Sequence, residues 1–120
     1  MTETVRRIFI AEVMYAVAAR YMLTKAQLLA PNRRWTVARQ RHIGMYLART
    51  LTGRSMQEIG RRFDRDHSTV VYAVHKIERR KKLDKILAFE IALLSAEITG
   101  RASHGLAEAA NQDMQQRAAG

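Results

Sequence analysis

Residues that break a helix are nearly absent from this chain. Its 120 residues include one proline and six glycines. The stretches between them combine good helix formers with apolar residues three or four positions apart. The chain has no cysteine, which excludes disulfides, thiolate zinc sites and cysteine nucleophiles. The sequence therefore predicts an all-α fold, a compact multi-helix domain with an N-terminal helix and a long C-terminal helix.

Apolar spacing predicts the first elements in the N-terminal third. A helix is expected from residue 3 to about residue 22, on a stripe formed by Val5, Ile8, Phe9, Val13, Ala16 and Val17. A short helical turn follows at Lys25–Leu29 and ends before Pro31, because proline disfavours helical geometry in the residue before it. A basic loop then leads to Thr36, which is expected to cap a helix that Gly53 ends.

The last predicted helix carries a long apolar stripe. Asp84 is expected to cap it and Gly100 to close it, with Leu83, Leu87, Ile91, Leu94 and Ile98 on one face. The remaining residues are rich in alanine and glutamine without a sustained stripe. We therefore predict one domain over residues 1–100 and a flexible tail over residues 101–120.

Positive charge is concentrated in the middle of the chain. Residues 33 to 82 hold 14 of the 21 lysines and arginines but 4 of the 11 acidic residues, within a net charge of +10. Such a localised field attracts polyanions, with nucleic acid first and an acidic membrane or protein surface second. A merely solvated basic surface is the alternative. No apolar run approaches the roughly 20 residues of a membrane span, so we expect a cytoplasmic, nucleoid-associated protein without membrane contact.

The segment between Ser55 and Lys82 is typical of a helix-turn-helix unit. Ser55 and Glu58 form a capping-box pattern that starts a short helix. The turn Asp64-Arg65-Asp66 follows, and Asp66 is suited to cap a second helix from His67 to about Lys82. In such units the first turn of the second helix meets base edges in the major groove, which accounts for polar residues at the start of an otherwise apolar helix.

Residues 37 to 78, VARQRHIGMYLARTLTGRSMQEIGRRFDRDHSTVVYAVHKIE, resemble the C-terminal DNA-binding domain of the bacterial replication initiator DnaA. The family signature is matched by segments that stand in the family's order: Ala38–Arg41, Met45–Ala48, Ser55–Gly60, Phe63, Arg65–Val70 and Lys76–Ile77. With the flanking helices the resemblance covers about residues 10 to 98. It implies a Trp-repressor-like helix-turn-helix that binds DnaA-box-like sites.

The resemblance also implies roles for individual residues. Asp66, His67 and Ser68 would contact bases in the major groove. Arg33, with Arg34 beside it, would enter the minor groove from the basic loop. Phosphate contacts would fall to seven residues: His42, Arg49, Thr52, Met56, Gln57, Thr69 and Lys76.

The chain also departs from the family. One residue, Asp64, separates Phe63 from Arg65 where the family often has two glycines, and Ser68 stands where threonine is usual. No phosphate-loop motif is present. Because the chain begins with methionine, we expect a free-standing regulator of replication initiation or transcription without ATPase activity, nucleotide, metal or other cofactor.

Two alternatives differ in class. The C-terminal apolar helix from Leu83 to Ile98 could dock onto a protein partner or a second copy, or help a nucleoid-type protein to bind DNA without sequence preference. The simpler explanation is that it packs on the N-terminal helix. An enzyme is not expected, because the consecutive residues Asp66, His67 and Ser68 point about 100° apart and cannot form a catalytic relay.

Overall fold

The computed structural model describes residues 7–31 and 35–104, with residues 35, 36 and 101–104 described by their backbone alone. Within these ranges the chain forms helices joined by short turns and contains no strand. The helices are α1 (Ile10–Arg20), α2 (Lys25–Leu29), α3 (Trp35–Thr52), α4 (Met56–Phe63), α5 (His67–Leu83) and α6 (Lys85–His104). The predicted all-α multi-helix fold is therefore confirmed.

One apolar core holds the helices together, with α3 at its centre. Helix α3 packs against all of the other helices, and α5 packs in addition on α4 and α6. Phe63 from α4 and Leu94 from α6 are fully buried beside the α3 residues Ile43 and Leu47. Helix α6 also packs on α1 through its buried stripe of Leu87, Ile91, Leu94 and Ile98. The prediction that the C-terminal helix packs on the N-terminal helix is confirmed for the face of α6 that carries this stripe.

Two helix ends differ from the sequence-based prediction. Helix α1 begins at Ile10 rather than at residue 3, because Phe9 is extended and the Glu12 carboxylate accepts its backbone N–H over 2.9 Å. Residues 1–6 lie outside the described part. Helix α6 continues through Gly100 to His104, so the prediction that Gly100 ends it is wrong.

Leu83 is also misassigned by the sequence pattern. It belongs to the end of α5 and is 90% exposed, instead of joining the buried stripe of α6. Asp84 caps α6 as predicted, accepting the backbone N–H groups of Ile86 and Leu87 at 3.1 Å. The predicted boundary between domain and tail stays a prediction, because residues 105–120 lie outside the described part.

The other predicted ends are mostly found. Thr24 and Gln27 form a capping box at α2, and Gly53 follows α3 with a positive φ of 70°. Helix α3 begins at Trp35, so Thr36 lies inside it and is not its cap. Ser55 accepts the N–H of Glu58 over 3.1 Å as the capping box predicts.

Candidate nucleic-acid interface

The turn between α4 and α5 is fixed by backbone hydrogen bonds. Asp64 adopts the left-handed conformation (φ 55°, ψ 48°), and its N–H donates to the carbonyl of Arg61 over 3.3 Å. The N–H of Arg65 donates to the carbonyl of Gly60 over 2.8 Å. This pair of bonds is a Schellman motif with aspartate at the position that glycine usually holds. It sets the direction in which the chain enters α5.

Gly60 allows the turn to pass close to α4. A Cβ atom at this position would lie 2.6 Å from the backbone carbonyl oxygen of Arg65 and 3.4 Å from the backbone nitrogen of His67. The nearer separation is too short for any side chain, and the blocking atoms belong to the backbone. The helix-turn-helix geometry therefore depends on the absence of a side chain at residue 60.

The three residues predicted to contact bases stand together and exposed at the start of α5. Asp66 is the N-cap, and its Oδ1 accepts the backbone N–H of His67 over 3.1 Å. Ser68 donates its hydroxyl hydrogen to Oδ2 of Asp66 over 2.9 Å. The His67 side chain is 54% exposed. The carboxylate, the imidazole and the lone pairs of the Ser68 oxygen remain accessible to hydrogen-bonding groups of a ligand.

The rest of α5 separates a buried face from an open one. Val70, Ala73, Val74 and Ile77 are buried against the core. Tyr72, His75 and Arg79 are exposed and follow Ser68 at helical spacing on the opposite face. A polar and aromatic ridge thus continues from the first turn along the outer side of this helix.

His42, Tyr72 and Lys76 form a cluster beside that ridge. The rings of His42 and Tyr72 meet edge to face with centroids 6.0 Å apart, and the Lys76 ammonium lies 5.5 Å from the Tyr72 centroid. Burial, together with the charges of Lys76 and Arg41, lowers the pKa of His42 to about 4. His42 is therefore neutral at neutral pH and has hydrogen-bonding rather than charge capacity. A cleft of about 400 Å³ beside it is lined by Arg39, Lys76 and Arg80, among others.

Most of the other predicted phosphate ligands flank the loop between α3 and α4, at the end of α3 or the start of α4. Arg49 donates from Nη1 to the carbonyl of Arg54 over 2.6 Å, and the Thr52 hydroxyl donates to the carbonyl of Ala48 over 2.6 Å. Gln57 is exposed in the first turn of α4, and Met56 is partly buried there against the core. Thr52 also accepts the backbone N–H of Arg54 over 3.1 Å, so both side chains brace the loop. Backbone N–H groups in the first turn of α4 lack helical acceptors.

The remaining predicted residues fall into two groups. Thr69 is partly buried in the first turn of α5, next to the three exposed residues. Arg33 and Arg34, predicted to enter the minor groove, lie outside the described residues. The described part of the candidate interface therefore comprises the start of α5, the His42 cluster and the residues on either side of the loop between α3 and α4.

Two arginines that sequence reasoning did not single out anchor the end of α2. Arg41 is 5% exposed and donates from Nε to the carbonyl of Leu28 and from Nη2 to that of Ala30, both over 2.8 Å. Arg65 donates from Nη2 to the same Ala30 carbonyl over 3.0 Å. The signal in the sequence was Pro31, since it ends α2 and leaves carbonyl groups that need other donors.

The described residues form neither a metal site nor a membrane span. Among residues 7–31 and 35–104, no three histidine or acidic side chains come together in a way that could hold a metal ion. None of the helices in the same ranges has the length and apolar character needed to cross a membrane.

The short helix α4, its Schellman turn and the capped helix α5 define a helix-turn-helix protein. The family model described as the bacterial dnaA protein helix-turn-helix matches residues 10–77. The chain belongs to this family, the C-terminal helix-turn-helix DNA-binding domain of DnaA.

The relatives are chromosomal replication initiator proteins DnaA. The chain is 46% identical over 94 residues to the protein of Nitrobacter hamburgensis, which covers 78% of this chain and 20% of the relative. It is 47% identical over 90 residues to the protein of Xanthobacter autotrophicus, and the matched residues make up 74% of this chain and 18% of the relative. It is 48% identical over 99 residues to the protein of Bartonella quintana, and the matched residues make up 82% of this chain and 20% of the relative. The chain thus spans about a fifth of the length of these relatives.

Proposed function

We propose that this protein binds double-stranded DNA at DnaA-box-like sites through its helix-turn-helix. The observation that carries the proposal is the exposed first turn of α5, where Asp66, His67 and Ser68 stand free of the core while Val70 and Val74 anchor the helix. A helix held on one side and polar at its tip fits the geometry by which such units read the major groove.

The three exposed residues differ in what they offer to bases. The Asp66 carboxylate accepts hydrogen bonds and so suits the amino group of cytosine. Because Ser68 gives its hydroxyl hydrogen to Asp66, its oxygen is left as an acceptor as well. His67 supplies a donor to a purine or a phosphate. The tip of α5 therefore favours base edges that present amino groups beside an acceptor.

Phosphate contacts would surround this tip and carry no sequence information. Lys76 and the neutral imidazole of His42 face the cleft beside α5. Met56 and Gln57 offer backbone N–H groups at the start of α4, and Thr69 offers its hydroxyl. Arg49 and Thr52 both bond to the backbone of Arg54 in the loop before α4, and so would support the start of α4. Arg33 and Arg34 would enter the minor groove, whose negative potential attracts arginine.

The experiment that tests this function is selection of bound duplexes from a random pool at a stated salt concentration. We expect enrichment of one short asymmetric motif similar to a DnaA box. Recovery of unenriched sequences at every salt concentration would instead support non-specific, nucleoid-type binding and overturn the proposal. A fixed salt concentration matters because phosphate contacts alone change affinity by orders of magnitude between low and physiological salt.

The biological role we propose is regulation of replication initiation or transcription by occupying such sites, without ATP hydrolysis by these 120 residues. The support is that these 120 residues contain no phosphate-loop motif. A direct test is competition in vitro: the purified chain should displace full-length DnaA from a box-containing duplex. Nucleotide-dependent binding or measurable ATP turnover by the purified chain would contradict this role.

A second candidate function is self-association through the outer face of α6. Ile86, Phe89 and Leu93 are 71%, 63% and 41% exposed and lie one helical turn apart on the side opposite the core stripe. Sedimentation velocity at micromolar concentrations tests it. A dimer that Phe89→Glu converts to a monomer supports self-association, and a wild-type monomer excludes it.

A further inference from the structure

Tyr72 is an aromatic residue on the face of α5 that the proposed function turns towards DNA. It is 55% exposed, although most of its ring is apolar. It follows Ser68 by four positions, and residues with this spacing lie on the same face of a helix, about 6 Å apart along its axis. Because Cα–Cβ bonds tilt towards the N-terminus of a helix, the Tyr72 side chain leaves α5 in the direction of the first turn. Tyr72 therefore adjoins the residues proposed to contact bases.

Two side chains hold the Tyr72 ring at this exposed position. The His42 ring, on α3, meets it edge to face, with the centroids 6.0 Å apart and the ring planes at 79°. The Lys76 ammonium, one turn further along α5, lies 5.5 Å from the Tyr72 centroid. Edge-to-face aromatic pairs and cations close to a ring are both favourable arrangements. A tyrosine side chain with few torsions that is already contacted from two helices loses little further freedom when it binds a ligand.

The other exposed side chains at the N-cap and in the first three turns of α5 are polar. Asp66, His67 and Ser68 present a carboxylate, an imidazole and a hydroxyl group, and His75 presents a second imidazole. In the major groove, a thymine differs from a cytosine by its O4 acceptor and by its 5-methyl group, which apolar side chains contact. The carbon atoms of the Tyr72 ring are therefore the exposed surface in this part of α5 that best suits a thymine methyl group.

We propose that Tyr72 is a further specificity-determining residue, which contacts the 5-methyl group of one thymine in the major groove. This inference rests on the proposed function, and it adds a base contact in the second turn of α5 to those of the first turn. The ring carbons pack against the methyl group and exclude water from both. His42 and Lys76, which are proposed phosphate ligands, hold the ring in place. The alternative is that Tyr72 only supports Lys76 and reads no base.

The contact is tested by removing single methyl groups from the DNA. Uracil replaces each thymine of a box-containing duplex in turn, which removes the 5-methyl group and keeps the hydrogen-bonding groups. Fluorescence anisotropy at one salt concentration gives the affinities of the wild type and of Tyr72→Ala for each duplex. In the wild type, one uracil should lower affinity by about fourfold, as expected for exposing one buried carbon group. In Tyr72→Ala the same uracil should lower affinity by less than about 1.5-fold.

Three further variants separate the methyl contact from other roles of Tyr72. Tyr72→Phe keeps the ring and should keep the sensitivity to that uracil, because the contact does not involve the hydroxyl group. Tyr15→Ala is the matched control, since Tyr15 is a tyrosine on α1 that is 67% exposed, and this variant should bind every duplex as the wild type does. Lys76→Ala should weaken binding to all duplexes about equally and keep the uracil effect.

Photo-crosslinking of the wild-type protein tests the same contact without any substitution, and so does not depend on the folding of Tyr72→Ala. 5-Iodouracil replaces the thymine that the scan identifies, which puts an iodine atom in the place of the methyl group. Irradiation then forms a covalent bond between the base and an aromatic side chain in contact with it. Mass spectrometry of the digested product should place this bond at Tyr72. A crosslink at another residue would overturn the inference.

The outcomes distinguish this inference from the proposed function. A wild type that prefers the box to a scrambled duplex, but shows the same uracil effects as Tyr72→Ala, would overturn the inference and leave the function standing. Equal weakening of the box and the scrambled duplex by Tyr72→Ala would assign Tyr72 to the support of Lys76 and overturn the inference as well. A wild type without preference for the box would overturn the proposed function, and the inference with it.

Discussion

Ser68 donates its hydroxyl hydrogen to the Asp66 carboxylate over 2.9 Å, across the first turn of α5. The same carboxylate accepts the backbone N–H of His67. Asp66 thus stabilises the start of the helix and, in the proposed function, reads DNA from the same position. The two roles can be separated by substitutions that keep or remove the capping oxygen.

Replacing Asp66 by alanine should lower the free energy of unfolding by about 1 kcal/mol, the usual cost of losing an N-cap. Asp66→Asn retains an oxygen that can accept the same backbone N–H, so its stability should stay close to wild type. Urea denaturation monitored by circular dichroism measures both. Equal stability of the alanine variant and the wild type would show that the carboxylate does not cap α5.

The close approach at Gly60 predicts a large effect for a small substitution. Gly60→Ala places a Cβ 2.6 Å from the Arg65 carbonyl oxygen, and it should lower the free energy of unfolding by about 2 kcal/mol as the turn is displaced. Gly100→Ala is the control, because the residue is inside α6 and no atom beyond its own stretch of helix lies within 4 Å of a Cβ there. That change should raise stability by about 0.5 kcal/mol. If both substitutions changed the free energy of unfolding in the same direction, the close approach at Gly60 would be contradicted.

The aspartate in the Schellman motif predicts opposite effects for two substitutions at one position. Asp64 has a φ of 55°, a conformation that costs roughly 1 kcal/mol for most residues but little for glycine. Asp64→Gly should therefore raise the thermal midpoint of unfolding, and Asp64→Ala should lower it. A thermal melt of each variant measures this. An alanine variant as stable as the glycine variant would rule out the left-handed turn.

The sequence predicted the helix-turn-helix well because its signals are local. These signals are the caps at Ser55 and Asp66 and the one-turn spacing of Val70 and Val74. Each depends on residues a few positions apart. The anchoring of α2 by Arg65 could not be predicted in this way, since it joins residues more than 30 positions apart and an arginine pattern does not reveal its acceptors. Gly100 was misread because tertiary packing of Ile98 keeps α6 helical past a residue of low propensity.

The neutral state of His42 predicts how stability depends on pH. Because folding lowers the pKa of His42 from 6.5 to about 4, the unfolded chain binds a proton more readily between these values. The contribution of His42 to stability should be complete above pH 6.5 and decline as the pH falls towards 4. Urea denaturation at pH 7.5 and pH 5 should show this decline in the wild type. The His42→Gln variant should lose less stability over this range. An equal loss in the wild type and in the variant would contradict the lowered pKa of His42.

In the proposed function, the exposed first turn of α5 discriminates between bases while Lys76 supplies affinity without discrimination. The most direct measurement compares His67→Ala and Lys76→Ala on box-containing and scrambled duplexes at one salt concentration. His67→Ala should lower affinity for the box by about tenfold and leave the scrambled duplex nearly unchanged, whereas Lys76→Ala should weaken both about equally. Equal losses on both duplexes for both variants would show that the first turn of α5 does not discriminate between bases.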